Sequence, residues 1–189
     1  MRWLGPGVIA TAALLCAATA QTAPQDIDRA LADADEAISL NPRDATAYNN
    51  RGNIQTARNN LKDAIADYDR ALRLNPQFAA AYYNRGKAYR AMGDLDHAVA
   101  DFSMAIRLDP KYVQALLERG TAFQAKGDLG RAITDYDQAI RLDPQYAPAY
   151  LSRASALKAK GDLARALADY DRAVQLDPAL AQSMKRPEE

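Results

Sequence analysis

The chain predicts an all-α solenoid, made by stacking one helical hairpin several times over, and three observations carry the prediction. The sequence repeats itself every 34 residues: Pro42, Pro76, Pro110, Pro144 and Pro178 fall at that interval, each preceded by Asn or Asp and, two places back, by Leu40, Leu74, Leu108, Leu142 or Leu176. Inside the repeat, side chains recur at helical spacing in two runs, Tyr82, Arg85, Gly86 and Tyr89 and then Leu95, Ala98, Val99, Phe102, Ala105 and Ile106. Between the runs stands a junction, Gly93-Asp94, Gly127-Asp128 or Gly161-Asp162. Its glycine suits the left-handed turn that ends a helix, and its aspartate can accept the free amide hydrogens of the next one.

The elements follow in order. Residues 1–20 carry one basic residue, Arg2, an apolar run from Val8 to Ala18, and Ala18-Thr19-Ala20. This reads as a secretion signal, too short to span a membrane and cleaved after Ala20, so no stable membrane anchor is expected afterwards. The mature chain then has no cysteine and no tryptophan, and a periplasmic or secreted location is expected. A polar leader occupies residues 21–25.

Residues 26–44, DIDRALADADEAISLNPRD, are half a repeat: Ile27, Ala30, Leu31, Ala34, Ala37, Ile38 and Leu40 stand where a second helix has its apolar face. This segment reads as an N-terminal capping helix, because the end unit of a solenoid needs a partner on one side only. Four full repeats follow at 45–78, 79–112, 113–146 and 147–180. In the first, Asn59-Asn60 replaces Gly-Asp with the next-best residue for a positive φ. The tail, 181–189, offers no full capping helix, so Leu163, Leu167, Val174 and Leu176 of the last hairpin are expected to stay partly uncovered.

Small residues mark the contact points. The eighth position of each repeat is Gly52, Gly86, Gly120 or Ala154, the twentieth Ala64, Ala98, Ala132 or Ala166, and the twenty-seventh Ala71, Ala105, Ala139 or Ala173. The twenty-fourth is the aromatic Tyr68, Phe102, Tyr136 or Tyr170. In length, in these four columns and in the proline at thirty-two, the chain resembles the tetratricopeptide repeat. The resemblance covers Ala45 to Leu180 in full and implies a right-handed solenoid. The chain departs from the family pattern at Leu116, where an aromatic is usual, and at Gln55 and Leu157, where tyrosine is usual.

Two charge columns are expected to pair. Arg51, Arg85, Arg119 and Arg153 hold the seventh position, and Asp67, Asp101, Asp135 and Asp169 the twenty-third, at about the same height in an antiparallel hairpin. Asp33 in the capping helix shares the aspartate column, which lets Arg51 be shared between Asp33 and Asp67.

No catalytic constellation is legible. His97 is the only histidine, no cysteine remains to join it in a metal site, and no serine has a base placed by the sequence. No enzyme activity and no cofactor are therefore expected. The resemblance implies protein binding in a groove lined by the first helices, with Asn49, Asn53, Tyr83, Asn84, Lys87, Arg90, Leu117 and Lys158 as contacts. Asn49, Gln114 and Glu118 replace the cations by which the best-known subtype grips a chaperone's C-terminal carboxylates.

The four first-helix windows hold 10 basic residues and one acidic, a net of +9, against −1 for the second-helix windows. A mildly basic groove favours an acidic partner segment or a C-terminal carboxylate. The overall balance, 24 basic against 24 acidic residues, argues against nucleic acid. The alternatives are a noncatalytic accessory subunit of an envelope enzyme and a homodimer formed through the uncapped last repeat.

Overall fold

The computed structural model describes residues 24–182, so the signal segment, part of the leader and most of the tail lie outside the described residues. Nine α-helices and one terminal 3-10 helix make up the described residues. Helix α1 (Pro24–Leu40) precedes four pairs: α2 (Ala45–Ala57) with α3 (Leu61–Leu74), α4 (Ala79–Ala91) with α5 (Leu95–Leu108), α6 (Val113–Ala125) with α7 (Leu129–Leu142), and α8 (Ala147–Ala159) with α9 (Leu163–Leu176). Helix α1 opens two residues before the expected start, with Pro24 in its first turn, where a missing amide hydrogen costs nothing.

Each turn has a local cause. Gly93, Gly127 and Gly161 take φ of 81°, 82° and 87°, and Asn59 takes 60° in the first repeat. The aspartates that follow the glycines cap the second helices: Asp94, Asp128 and Asp162 accept from the backbone amides of His97, Arg131 and Arg165. Between repeats, the Asn or Asp before each proline turns the chain by accepting the amide two residues on, as Asn75 Oδ1 does from Gln77 and Asp109 Oδ1 from Lys111.

Two helices of a pair pack most closely, and each pair packs on the next through α3 with α4, α5 with α6 and α7 with α8. The first helices also touch one another, α2 with α4, α4 with α6 and α6 with α8, whereas no two second helices do. The stack therefore curves with its first helices on the inside. That geometry creates the groove.

The core is a row of small residues closed by rings. Ala64, Ala98, Ala132 and Ala166 are fully buried, as are Ala71, Ala105, Ala139 and Ala173. Phe102 and Tyr136 are fully buried and Tyr68 nearly so, each ring contributing about 2 kcal/mol by leaving water. The glycines at the eighth position face these rings within their own hairpin rather than a neighbouring backbone: a Cβ on Gly120 would lie 2.6 Å from the Tyr136 ring. At the C-terminal end a short 3-10 helix, Pro178–Gln182, folds against α9. It leaves Leu163 half exposed and Leu167, Val174 and Leu176 half-buried.

Candidate functional site: the first-helix face

Behind the groove runs an ion ladder that fixes the pitch of the stack. Arg51, Arg85, Arg119 and Arg153 each fork onto one aspartate of their own hairpin, Asp67, Asp101, Asp135 and Asp169, through Nε and Nη2 at 2.6–2.9 Å. These aspartates are only 4–7% exposed. The third guanidinium nitrogen, Nη1, reaches back to the preceding second helix, to Asp35, Asp69, Ser103 and Asp137. The second partner of Arg51 is thus Asp35 and not Asp33, because the contact runs sixteen residues back as well as sixteen forward. Burial pushes the Asp101 carboxyl up, and its bonds to Arg85 oppose that shift.

The groove floor is partly spent on the core. The buried Tyr68 hydroxyl donates to Asn53 Oδ1 at 2.8 Å and lies 3.0 Å from Thr56 Oγ1. The Tyr136 hydroxyl similarly donates to Gln124 Oε1 at 3.1 Å. Positions nine and twelve of repeats 1 and 3 therefore satisfy buried phenols. Repeat 2 differs, because Phe102 stands in the aromatic column and has no hydroxyl. Its ninth residue, Lys87, is exposed, and its twelfth, Arg90, is half-buried and turned to Glu118 instead.

Neighbouring first helices are also laced together. Asn84 Nδ2 donates to Asn49 Oδ1 at 3.0 Å. Asn49 is 6% exposed, so it is a contact between α2 and α4 and not part of the groove surface. Gln124 Nε2 donates to Ser155 Oγ at 3.1 Å. Arg90 Nε lies 3.0 Å from Glu118 Oε2. That nitrogen is nevertheless buried without a hydrogen-bond acceptor, so the contact is an attraction of charges and not an aligned bond.

Ion pairs take up most of the positive charge on the first helices. Arg58 meets Asp28 at 2.8 Å, Lys126 meets Asp96, and Arg90 meets Glu118. With the four ladder arginines this leaves Lys87, Lys158 and Lys160 without a carboxylate at ion-pair distance among the described residues. Lys87 and Lys158 are exposed, and Lys87 Nζ stands 5.5 Å from the centre of the Tyr83 ring.

An aromatic cluster lies beside Lys87. Tyr83 packs at 4.9 Å from Tyr112 and 6.0 Å from Phe102, ring centre to ring centre, and Tyr83, Tyr112 and the nearby Tyr146 are half-buried. Leu117, also half-buried, packs against the cores on either side. Tyr112 and Tyr146 escaped the sequence reading. Their signal is nevertheless periodic, since Phe78, Tyr112, Tyr146 and Leu180 share the thirty-fourth position.

Burial first, then the nearby Glu118, Tyr112 and Tyr146, push the Tyr83 phenol from its ordinary 10.0 to about 12. The fold therefore favours the neutral phenol, a contribution present in full below pH 10 and lost as pH rises through about 12. In Tyr83→Phe the melting temperature at neutral pH should change little, and the fall between pH 10 and 12 should be shallower than in the wild type. Identical alkaline curves for the two proteins would rule out this coupling.

Among the described residues no group of His, Cys, Asp and Glu could hold a metal ion, and no helix is long and apolar enough to cross a membrane. His97 is exposed, 2.7 Å from Asp94 and stacked on Tyr89.

A curved array of helix pairs with a groove-forming inner face defines a class, the helical-repeat binding modules. Family profiles place the chain within it. A TPR repeat profile matches residues 52–93 and 121–161, and two tetratricopeptide repeat profiles match 79–112 and 147–180. The chain belongs to the tetratricopeptide repeat family.

Several solved structures share the fold. A crystal structure of MamA is 23% identical, with a TM-score of 0.76 over 84% of this chain and 92% of that one. YrrB, described as a TPR protein with an unusual peptide-binding site, is 24% identical, with a TM-score of 0.69 over 85% of each chain. TTC0263, a thermophilic TPR protein from Thermus thermophilus, is 24% identical, with a TM-score of 0.66 over 82% of this chain and 84% of that one. No curated protein sequence matches the chain.

Proposed function

We propose that this protein is an exported scaffold whose first-helix groove holds an extended segment of another protein, anchored at repeat 2. One observation carries the reading. Phe102 frees Lys87 from the hydroxyl-satisfying role that its counterparts serve in repeats 1 and 3, beside the half-buried Tyr83, Tyr112 and Tyr146. Half-buried tyrosines beside a cation are the usual chemistry of a binding hot spot. The peptide-binding site described for YrrB, a protein of the same fold, supports a peptide as the kind of ligand.

The partner segment would put an apolar side chain against Tyr83 and Leu117. Its carboxylate, from an acidic side chain or a C-terminus, would meet Lys87 and Lys158, while Asn53 and Asn84 bond its backbone through whatever capacity Tyr68 and Asn49 leave them. Arg90 joins only by leaving Glu118. Peptide display against the mature chain should enrich sequences that combine an apolar residue with an acidic one. Lys87→Glu with Lys158→Glu should abolish that enrichment at low salt. Equal enrichment on the charge-reversed variant would sink the acidic-ligand reading.

Export rests on Arg2, the apolar run and the Ala-x-Ala at residues 18–20. Protein recovered from the cell envelope should begin at Gln21 on N-terminal sequencing. Recovery of intact Met1 from the cytosol would overturn it. A dimer through the last repeat has less support, because the terminal 3-10 helix covers part of α9 and leaves one half-exposed large side chain, Leu163. That is far short of the roughly 800 Å² per partner of a standard interface.

A further inference from the structure

We propose a second binding site on the outer side of the array, a cavity beside Leu157 that takes a Phe or Tyr side chain from a partner protein. The repeats themselves supply the template. At the eleventh and nineteenth positions of repeat 2, Tyr89 and His97 stack with ring centres 4.9 Å apart. In repeat 3 the pair is Phe123 and Arg131, with the guanidinium 4.3 Å from the centre of the ring. Arg131 is held there by Asp128, which accepts from its Nε at 2.5 Å.

Repeat 4 keeps every part of this arrangement but the ring. Asp162 accepts from Arg165 Nε at 2.6 Å, as Asp128 does from Arg131. The eleventh residue, however, is Leu157, a side chain too short to reach across. A cavity of about 180 Å³ opens where the ring would stand, lined by Leu157 and Arg165 together with Ile133, Ala168, Arg153 and the two aspartates that grip it, Asp137 and Asp169. A volume of about 150 Å³ is enough to hold one benzene ring.

The walls choose the ligand. Leu157, Ile133 and Ala168 are apolar, and Arg153 is already paired with Asp137 and Asp169 at 2.6 Å. An incoming carboxylate or phosphate would meet those two aspartates, whereas a ring would meet the face of Arg165 as Phe123 meets Arg131. Arg165 and Ala168 are exposed and Leu157 is buried, so the cavity is entered from solvent between α7 and α9. A ring carried on a partner's backbone can reach it there. This site is separate from the groove, since its mouth lies between the second helices α7 and α9, with Arg153 and Leu157 of α8 behind it.

The probes are toluene and N-acetylphenylalanine amide, added to the mature protein with isotope-labelled Leu and Ile methyl groups and followed by NMR. Both should give saturable shifts at millimolar concentration, confined to the methyls of Leu157, Ile133 and their neighbours. Leu157→Phe supplies the missing ring from within; it should raise the melting temperature and erase the shifts. Ala168→Leu, at an exposed position, should erase them too by closing the mouth, which keeps the test open even if the first variant folds poorly. Absent or unsaturable shifts in the wild type, or saturable shifts that persist in a folded variant, would overturn the proposal. So would binding of toluene without the amide, because a partner's side chain arrives on a backbone.

Discussion

Asp135→Ala should lower stability by about 3 kcal/mol, the low end of the range for stripping one partner from a buried ion pair. For a domain of this size that is a fall in melting temperature of roughly 10 °C. Asp135 is 4% exposed and takes two hydrogen bonds from Arg119 at 2.8 and 2.7 Å. Of the four ladder arginines, Arg119 alone has serine in place of a second carboxylate, because Ser103 occupies the twenty-fifth position. Removing Asp135 thus leaves a largely buried guanidinium with a single neutral acceptor. Asp137→Ala should cost at most about 1 kcal/mol, since that carboxylate is 39% exposed and Arg153 keeps Asp169. Restoring a carboxylate with Ser103→Asp should recover part of the loss in the Asp135→Ala background. Equal losses from the Asp135 and Asp137 variants in thermal melts would show that burial does not set the strength of the ladder.

Gly120→Val should cost more than about 3 kcal/mol, at or beyond the usual range for an overfilled core. A Cβ at Gly120 would lie 2.6 and 2.9 Å from two atoms of the Tyr136 ring, which is fully buried and tied by its hydroxyl to Gln124. The fourth repeat shows the milder case: Ala154 stands in the glycine column, and the facing Tyr170 is 8% exposed where Tyr136 is fully buried. Gly120→Ala should accordingly fall nearer 1 kcal/mol, at the low end of that range. Gly127→Ala tests a different cause, because nothing lies within 4 Å and only the φ of +82° resists a side chain, at about 1–2 kcal/mol. Chemical denaturation of the three variants separates steric overlap from backbone strain. A Gly120→Val protein no less stable than Gly127→Ala would remove the ring contact from the explanation.

What the sequence made legible is what recurs. A 34-residue period fixes hairpins, turns and the buried columns, because each is written several times and chance is averaged away. The groove is harder to read because its contacts join different repeats. Nothing local in Asn49 announces that Asn84, thirty-five residues on, will bond it into the interior. Arg90 looks free until Glu118 of the next repeat is placed beside it. The periodic argument points to Asp33 because it shares the column of Asp67, but an acceptor in the preceding helix is met from the other side and stands two residues later, at Asp35. Leu157 was legible as a departure from pattern, but the space it leaves depends on where Arg165 and α7 stand.

The reach of each ladder arginine, sixteen residues forward and sixteen back, bears on how such a chain can grow or be shortened. A hairpin cut out at the proline beats is not self-sufficient, because the guanidinium in its first helix has left one acceptor behind in the previous second helix. The smallest segment that carries a complete set is three helices long, as in α3, α4 and α5. A gene duplication that copied only 34 residues would still be in frame, since every incoming arginine finds an acceptor on whichever second helix now precedes it. The join is therefore interchangeable, and α1 is the device that starts the series: it brings Asp35 to Arg51 so that the first repeat is built like those that follow.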